Sequence, residues 1–328
     1  MRTLVTGATG LIGNRLARLL LERGHSVRAL VRDVDRARTM LPPEVELVFG
    51  DITLPETLPP AMQGCTWLFH TAGMPEQWQA DLSIFDRVNR QGTANVMEAA
   101  LAAGVSRVVY TSTMDVFEAA NFEDLDESRY ATAPRKTHYE RSKVAAEREV
   151  EKVQARGLDV VYVNPAAVYG PSPVHVSLNY FFLRLLKGGV PLLPPGGMSV
   201  AFVDGVAGAH LEAMERGRSG ERYLVADELQ SMKGMATALK KLTGTTRVPL
   251  VAPAWMLWLT AWVLAPLARA FRFKPLVTAG ELEFILWSPR VLSAKAQREL
   301  GFKAMPFEEG LRRTVESFRE QGLAPRGR

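Results

Sequence analysis

Thr6-Gly-Ala-Thr-Gly-Leu-Ile-Gly13 stands between a short β-branched run, 2–6, and a segment, 11–23, in which Ile12, Leu16, Leu19 and Leu20 recur at helical spacing. A strand that turns through glycines into a helix opens a βαβ unit able to hold a pyrophosphate. Gly7 permits the tight turn, Gly10 lets the backbone approach the phosphates, and Gly13 lets helix and strand pack closely. The phosphates would rest on the helix N-terminus, where unpaired N–H groups and the helix dipole favour anions. The spacing is G-x-x-G-x-x-G, and its place after an N-terminal strand makes it informative.

Outward from this loop the same rhythm continues. Strands are predicted at 26–32, 44–49, 66–69, 107–111 and 158–163, and helices at 33–41, 82–103 and 138–156. Such alternation predicts an α/β protein with a Rossmann-type, doubly wound parallel sheet. From Tyr169 the pattern changes: Pro171, Pro173, Pro191, Pro194 and Pro195 mark loops around one apolar helix, 178–186. Helices follow at 206–216, 231–242, 254–271 and 307–320, with a strand at 221–225. The expected organisation is a nucleotide-binding domain, 1–170, to which 203–226 returns. A smaller, mostly helical substrate-binding part comprises 171–202 and 227–328.

Composition narrows the class. With 47% hydrophobic and 23% charged residues the chain is an ordinary globular one, not a disordered one. Its net charge of +5 is scattered rather than blocked, which argues against nucleic-acid binding. A single cysteine, Cys65, excludes an internal disulfide and points to a reducing, cytoplasmic setting. No signal peptide is expected, because Gly7 ends the first apolar run. His70, His138 and His175 do not fall at metal-ligand spacing, so no metal is expected.

Cofactor choice falls to the end of the second strand, where NAD-binding folds place a carboxylate for the ribose 2′-hydroxyl. Here Val31 is followed by Arg32, with Arg36 and Arg38 on the next helix. Guanidinium groups suit a 2′-phosphate, so NADP(H) is expected over NAD. After the third strand, Asp51 and Ile52 offer a carboxylate and an apolar face to an adenine.

Tyr139-Glu-Arg-Ser-Lys143 carries the chemistry. Residues four apart share one helix face, so phenol and ammonium are expected to point into one space. The cation would lower the phenol pKa towards the working range of a proton carrier. Thr111-Ser112-Thr113 follows the fifth strand, at the sheet edge where ligands of such folds bind, and supplies a hydroxyl.

With these residues in view, the chain resembles the extended short-chain dehydrogenase/reductase superfamily over nearly its whole length. The resemblance rests on Thr6 to Gly13, Gly50-Asp51, His70 to Gly73, Asn89 to Thr93, Tyr110 to Thr113, Tyr139 to Lys143, Asn164-Pro165 and Val168 to Pro171. Within it the chain is similar to dihydroflavonol-reductase-like ketone reductases and a hopanoid-associated sugar epimerase-like group. The resemblance implies that Tyr139 is the acid/base, that Lys143 also holds the nicotinamide ribose, and that Thr113, rather than Ser112, binds the substrate oxygen. It assigns cofactor contacts to Gly7, Thr9, Gly10, Leu11, Ile12, Arg32, Asp51, Ile52, Thr71, Ala72, Pro165 and Val168, besides the Tyr139–Lys143 pair. It also implies a homodimer formed through 82–103 and 138–156. Two positions depart from the family pattern: Gly73, where a second alanine is usual, and Gly205, where aspartate is common.

The predicted reaction moves a hydride between nicotinamide and a carbonyl or alcohol carbon. Sugar epimerisation and a non-catalytic scaffold are the rival readings. Among relatives that take nucleotide-sugars an arginine is expected near Val203, and Met198 stands in its place. Tyr180, Phe181, Phe182, Leu185 and Trp287 make the substrate part apolar, which favours a small or apolar carbonyl compound, although Arg184 or Lys187 could substitute as phosphate ligands. The uncharged stretch 250–268 carries Trp255, Trp258 and Trp262 at helical spacing; its two readings are core packing and a membrane-interface helix with Arg269 and Arg272 beyond.

Overall fold

The computed structural model describes residues 1–75, 78–133, 135–174, 177–244, 247–271, 273, 275 and 278–324. Its strands, in chain order, begin with β1 (Arg2–Thr6), β2 (Ser26–Val31), β3 (Glu46–Phe49), β4 (Trp67–His70) and β5 (Arg107–Thr111). The dipeptide β6 (Asp124–Leu125) precedes β7 (Val160–Pro165), β8 (Ala167–Tyr169), β9 (Leu192–Leu193) and β10 (Gly197–Phe202). The last four are β11 (Arg222–Val225), β12 (Glu228–Ser231), β13 (Leu250–Val251) and β14 (Arg290–Val291).

Seven strands form one parallel sheet in the order β11-β7-β5-β4-β1-β2-β3. Its central members, such as Val-Val-Tyr-Val in β7, are buried on both faces, as strands covered by helices on each side must be. One face packs the helices Leu11–Glu22 and Val203–Arg216 through Leu16, Leu20, Ala207 and Leu211. The other packs Gly92–Ala102 and His138–Gln154 through Val96, Ala100, Ala146 and Val150. The chain runs outward from β1 to β2 and β3, then returns to lay β4 on the other side of β1. That reversal opens a crevice at the carboxyl ends of β1 and β4, the place where doubly wound sheets bind ligands.

The expected helix 82–103 is interrupted by a wide π segment, Asp86–Gln91, which widens the turn at Asn89. Asn89 there receives the Met74 N–H, at 2.7 Å, and donates to Ser142 Oγ, at 2.9 Å. Such π segments recur at functional sites. The C-terminal stretches are mostly helical and also carry short strands. Their core gathers Tyr169, Phe182, Phe202, Met235 and Phe318 beneath a three-stranded sheet, β12-β10-β8. Strand β10 lies in what the sequence reads as loop. All its residues are buried, so no alternation marks it, and Gly197 fits because a Cβ there would lie 2.2 Å from the Gln230 carbonyl. The chain passes from β7 into β8 through Ala166.

Candidate active site

The glycine loop is shaped by contacts a side chain would destroy. Gly7 has φ +72°, and a Cβ on it would lie 2.7 Å from the Ala72 nitrogen; one on Gly13 would lie 2.3 Å from the Gly7 carbonyl. The helix that follows begins at Gly10 with no side-chain cap, leaving the N–H groups of its first turn to an anion. Thr9 and Ile12 are half-buried beside it, and Leu11 is buried. Thr71 and Ala72 close the loop from β4: Thr71 Oγ1 donates to the Thr6 carbonyl at 2.7 Å and the Ala72 N–H to Thr6 Oγ1 at 3.3 Å. These residues fit a dinucleotide pyrophosphate.

At the end of β2, Val31 is buried, while Arg32 is exposed and forms no ion pair among the described residues. Arg38 instead pairs with Asp35. Asp51 commits one oxygen to Thr53, at 2.8 Å from both its N–H and its hydroxyl. Ile52 is buried beside Gly92. Pro165 is buried at the end of β7 and Val168 half-buried in β8.

The helix His138–Gln154, which carries Tyr139 and Lys143, starts close to where the sequence places it. Thr137 and Glu140 form a reciprocal capping box, Glu140 N–H to Thr137 Oγ1 at 3.1 Å and Thr137 N–H to Glu140 Oε2 at 2.7 Å. The cap fixes the first turn, which carries Tyr139, and Lys143 follows one turn later. Of the hydroxyl triplet, Thr111 is taken by His210 Nε2 at 2.7 Å, and the buried Ser112 Oγ has no partner among the described residues. Thr113 is the member of the triplet that acts on the Tyr139 phenol, holding its pKa down against burial. The structure therefore brings Thr113, not Ser112, to the tyrosine.

Burial is the largest influence on the Tyr139 phenol. It pushes the phenol well above its ordinary range, the neighbouring Asp115 adds to this, and only Thr113 holds it back. The Lys143 ammonium points elsewhere. It donates to Tyr110 Oη at 3.0 Å and to the Thr111 carbonyl at 2.9 Å, and burial brings its own pKa down to about 8 against the pull of Glu147 and Asp115. Tyr110 stacks on His70, ring centroids 5.6 Å apart, and His70 Nε2 lies 3.0 Å from the Thr93 hydroxyl while its Nδ1 lies 2.7 Å from Thr6 Oγ1. A buried chain of contacts thus joins Lys143 to the strand that carries the glycine loop. Burial and Lys143 hold His70 far down, to about 3, so it is a neutral link.

Asp115 escaped the sequence reading. It lies two residues past Thr113, 3% exposed, accepts from Thr113 Oγ1 at 3.1 Å, and leaves its other oxygen without a partner among the described residues. Burial and Glu140 push its carboxyl up to about 7. A carboxylate so close to a hydroxyl triplet at a strand end was the signal available. Asn164 is a second such residue, donating to the Thr113 carbonyl at 3.1 Å and to Glu147 at 3.2 Å; Glu147 is buried and paired with Arg222 at 2.7 Å.

The two departures have local causes. A Cβ on Gly73 would lie 3.3 Å from Asn89 Oδ1, and one on Gly205 would lie 3.0 Å from the Phe302 ring. On the substrate side, Phe182, Leu185 and Met198 are buried in the core, Phe181 is half-buried, and Trp287 donates to the Ala119 carbonyl at 2.6 Å with Arg135 over its ring. Arg184 is tied to the Gly189 carbonyl and to Tyr180. Among the described residues no cluster of three or more His, Cys, Asp or Glu can hold a metal; His175 lies outside them, as does Arg272.

A doubly wound sheet with an uncapped glycine turn at one side of its crevice and a Thr–Tyr–Lys set at the other is the arrangement of the extended short-chain dehydrogenase/reductase class. The family model for the NAD-dependent epimerase/dehydratase family matches residues 3–226, and the chain belongs to that family. Sterol demethylase protein B of Methylococcus capsulatus is 33% identical, over 98% of this chain and 100% of its own. A 4-hydroxy-2-methyl-3-oxo-4-farnesyl-3,4-dihydroquinoline-1-oxide ketoreductase of Stigmatella aurantiaca is 30% identical, over 100% and 98%. The crystal structure of gox2253 has a TM-score of 0.84 and 31% identity, covering 98% of this chain and 99% of that one.

Proposed function

We propose that the protein is an NAD(P)-dependent oxidoreductase acting at a carbonyl or alcohol carbon of a small or apolar substrate, with NADP(H) preferred. The observation that carries this reading is the capped helix His138–Gln154, which carries Tyr139 and Lys143 and sets the Lys143 ammonium on Tyr110 and the Thr111 carbonyl at the carboxyl edge of the sheet that bears the glycine loop. A nicotinamide nucleotide, when bound, supplies or accepts the hydride. The first turn of the helix Leu11–Glu22 and Arg32 would hold its phosphates, and Lys143 has an ammonium proton left for a ribose hydroxyl.

The chain's own residues manage the proton. In the reductive direction Tyr139 holds its proton, because burial and Asp115 favour the neutral phenol, and is therefore loaded to donate it to the substrate oxygen. Thr113 orients that oxygen, and Asp115 orients Thr113. The apolar class is favoured because Met198 is a core residue and Arg184 is already engaged, which leaves a substrate diphosphate without a guanidinium fork there. Two relatives named for a sterol and for a farnesyl-bearing ketone support it. The test is NADPH oxidation against a panel of apolar ketones and aldehydes, with uridine diphosphate sugars alongside. Steady oxidation with a ketone is expected; epimerised nucleotide-sugar without net NADPH consumption would overturn the proposal.

A further inference from the structure

The helix Ala254–Ala270 is apolar all round, yet only one face is covered by protein. Leu257 and Ala261 pack on Leu282 of the helix Ala279–Trp287. On the opposite side Trp255, Leu259, Trp262, Val263 and Leu267 form a stripe open to solvent, with Trp255 69% and Trp262 78% exposed, and Phe271 continues it past the helix end. Spacings of four, seven, eight and twelve residues place these side chains on one broad face. A contiguous exposed patch of large apolar and indole groups marks a binding surface rather than ordinary surface variation.

We infer that this face docks the protein onto an anionic lipid membrane, with the helix lying in the interfacial plane. Three observations choose lipid over a protein partner. Between Glu228 and Glu281 the chain has no acidic residue and seven basic ones, of which Lys233, Lys240 and Arg247 are exposed and Arg269, Arg272 and Lys274 follow the stripe in sequence. A cationic flanking sequence is complementary to anionic headgroups, each cation near the surface adding about 1 kcal/mol. The patch presents tryptophan, the residue that sits at headgroup level with its ring in the apolar boundary and its N–H wet. Finally, no helix among the described residues is long and apolar enough to cross a membrane, and this one has its other face occupied, so it can lie on a bilayer but not span it.

The experiment is vesicle flotation of the full chain. Vesicles of phosphatidylglycerol and phosphatidylcholine in equal parts are compared with phosphatidylcholine alone, at low and high sodium chloride. Flotation with the anionic vesicles is expected, weakened by salt, together with a blue shift of tryptophan emission. The double variant Trp255→Ser, Trp262→Ser removes exposed rings only and should lose about tenfold or more in lipid affinity. Should it misfold by circular dichroism, Leu259→Gln supplies the same comparison with a smaller expected loss. No flotation of the native chain, or equal flotation of a folded variant, overturns the inference. So does light scattering that shows a dimer dissolved by these substitutions, because a second copy then covers the stripe.

Discussion

Lys143 Nζ sits 3.0 Å from Tyr110 Oη, a buried phenol three residues before the substrate-side hydroxyl Thr113, and not against the tyrosine one turn before it on its own helix. The bond sets the ammonium on a phenol that stacks on His70, which joins Thr93 to Thr6 of the strand leading into the glycine loop. In this arrangement Tyr110 and the Thr111 carbonyl aim the ammonium, which leaves one proton for a ribose hydroxyl.

Tyr110→Phe therefore tests whether that aim matters. The substitution keeps the ring and its cation–π contact, at 4.7 Å, but removes an acceptor of the charged ammonium. Loss of an acceptor disfavours the charged form, so the Lys143 pKa should fall further below about 8. In carbonyl reduction the rate falls as pH rises through this pKa, and the alkaline limb of kcat/KM should move to lower pH in the variant. An unmoved limb would remove Tyr110 from the mechanism and leave it a packing residue.

Tyr139→Phe removes the proton carrier and almost no volume. Turnover should fall by about 10²–10⁴-fold, while cofactor affinity, measured by quenching of protein fluorescence, should change little because the glycine loop and Lys143 are untouched. Near-native turnover on the best substrate would refute the assignment.

What could be read from the sequence follows the physics of each segment. The parallel sheet was legible because β-branched runs bounded by turns alternate with helical spacing, and the Tyr139–Lys143 turn was legible because its four-residue spacing sets both side chains on one helix face. The family match and the similarity to gox2253 agree with that reading. Strand β10 was illegible because it is buried throughout, and the π segment at Asn89 because nothing in Asp86–Gln91 breaks a helix. The destination of the Lys143 ammonium was illegible for another reason. Spacing on a helix gives a shared face, but burial and the acceptors of β5 decide where a long side chain ends.

Arg32→Ala addresses cofactor choice. Arg32 is exposed, lies at the end of β2 and has no internal partner among the described residues, so its removal should leave stability nearly unchanged. It should weaken NADPH by about tenfold or more, the worth of a charge-assisted bidentate contact, and leave NADH almost unaffected. Isothermal titration with the two cofactors decides it: equal weakening, or a native preference for NADH, contradicts the assignment.

Asp115→Asn makes the last prediction, and its sign can be worked through. Burial first, then Glu140, raise this carboxyl to about 7, with Thr113, Arg135 and Lys143 opposing them. An unfolded aspartate titrates near 3.9, so between about pH 4 and 7 the folded chain binds the proton that the unfolded chain has released. Stability contributed by the neutral carboxyl is full below pH 4, declines as pH rises through that window, and is gone above about pH 7, a loss on the order of a few kcal/mol. The amide keeps the shape and cannot titrate. Its stability relative to the native chain should therefore improve between pH 5 and pH 8, which urea denaturation at the two values measures directly. Activity should move the other way. Asp115 is one of the charges that hold the Lys143 pKa up, and its carboxylate receives the Thr113 hydroxyl at 3.1 Å. Loss of that charge should lower kcat and shift the alkaline limb down. A variant whose stability advantage is the same at both pH values would show that Asp115 is ionised in the folded chain throughout, and the polar crowding at Thr113 would need another explanation.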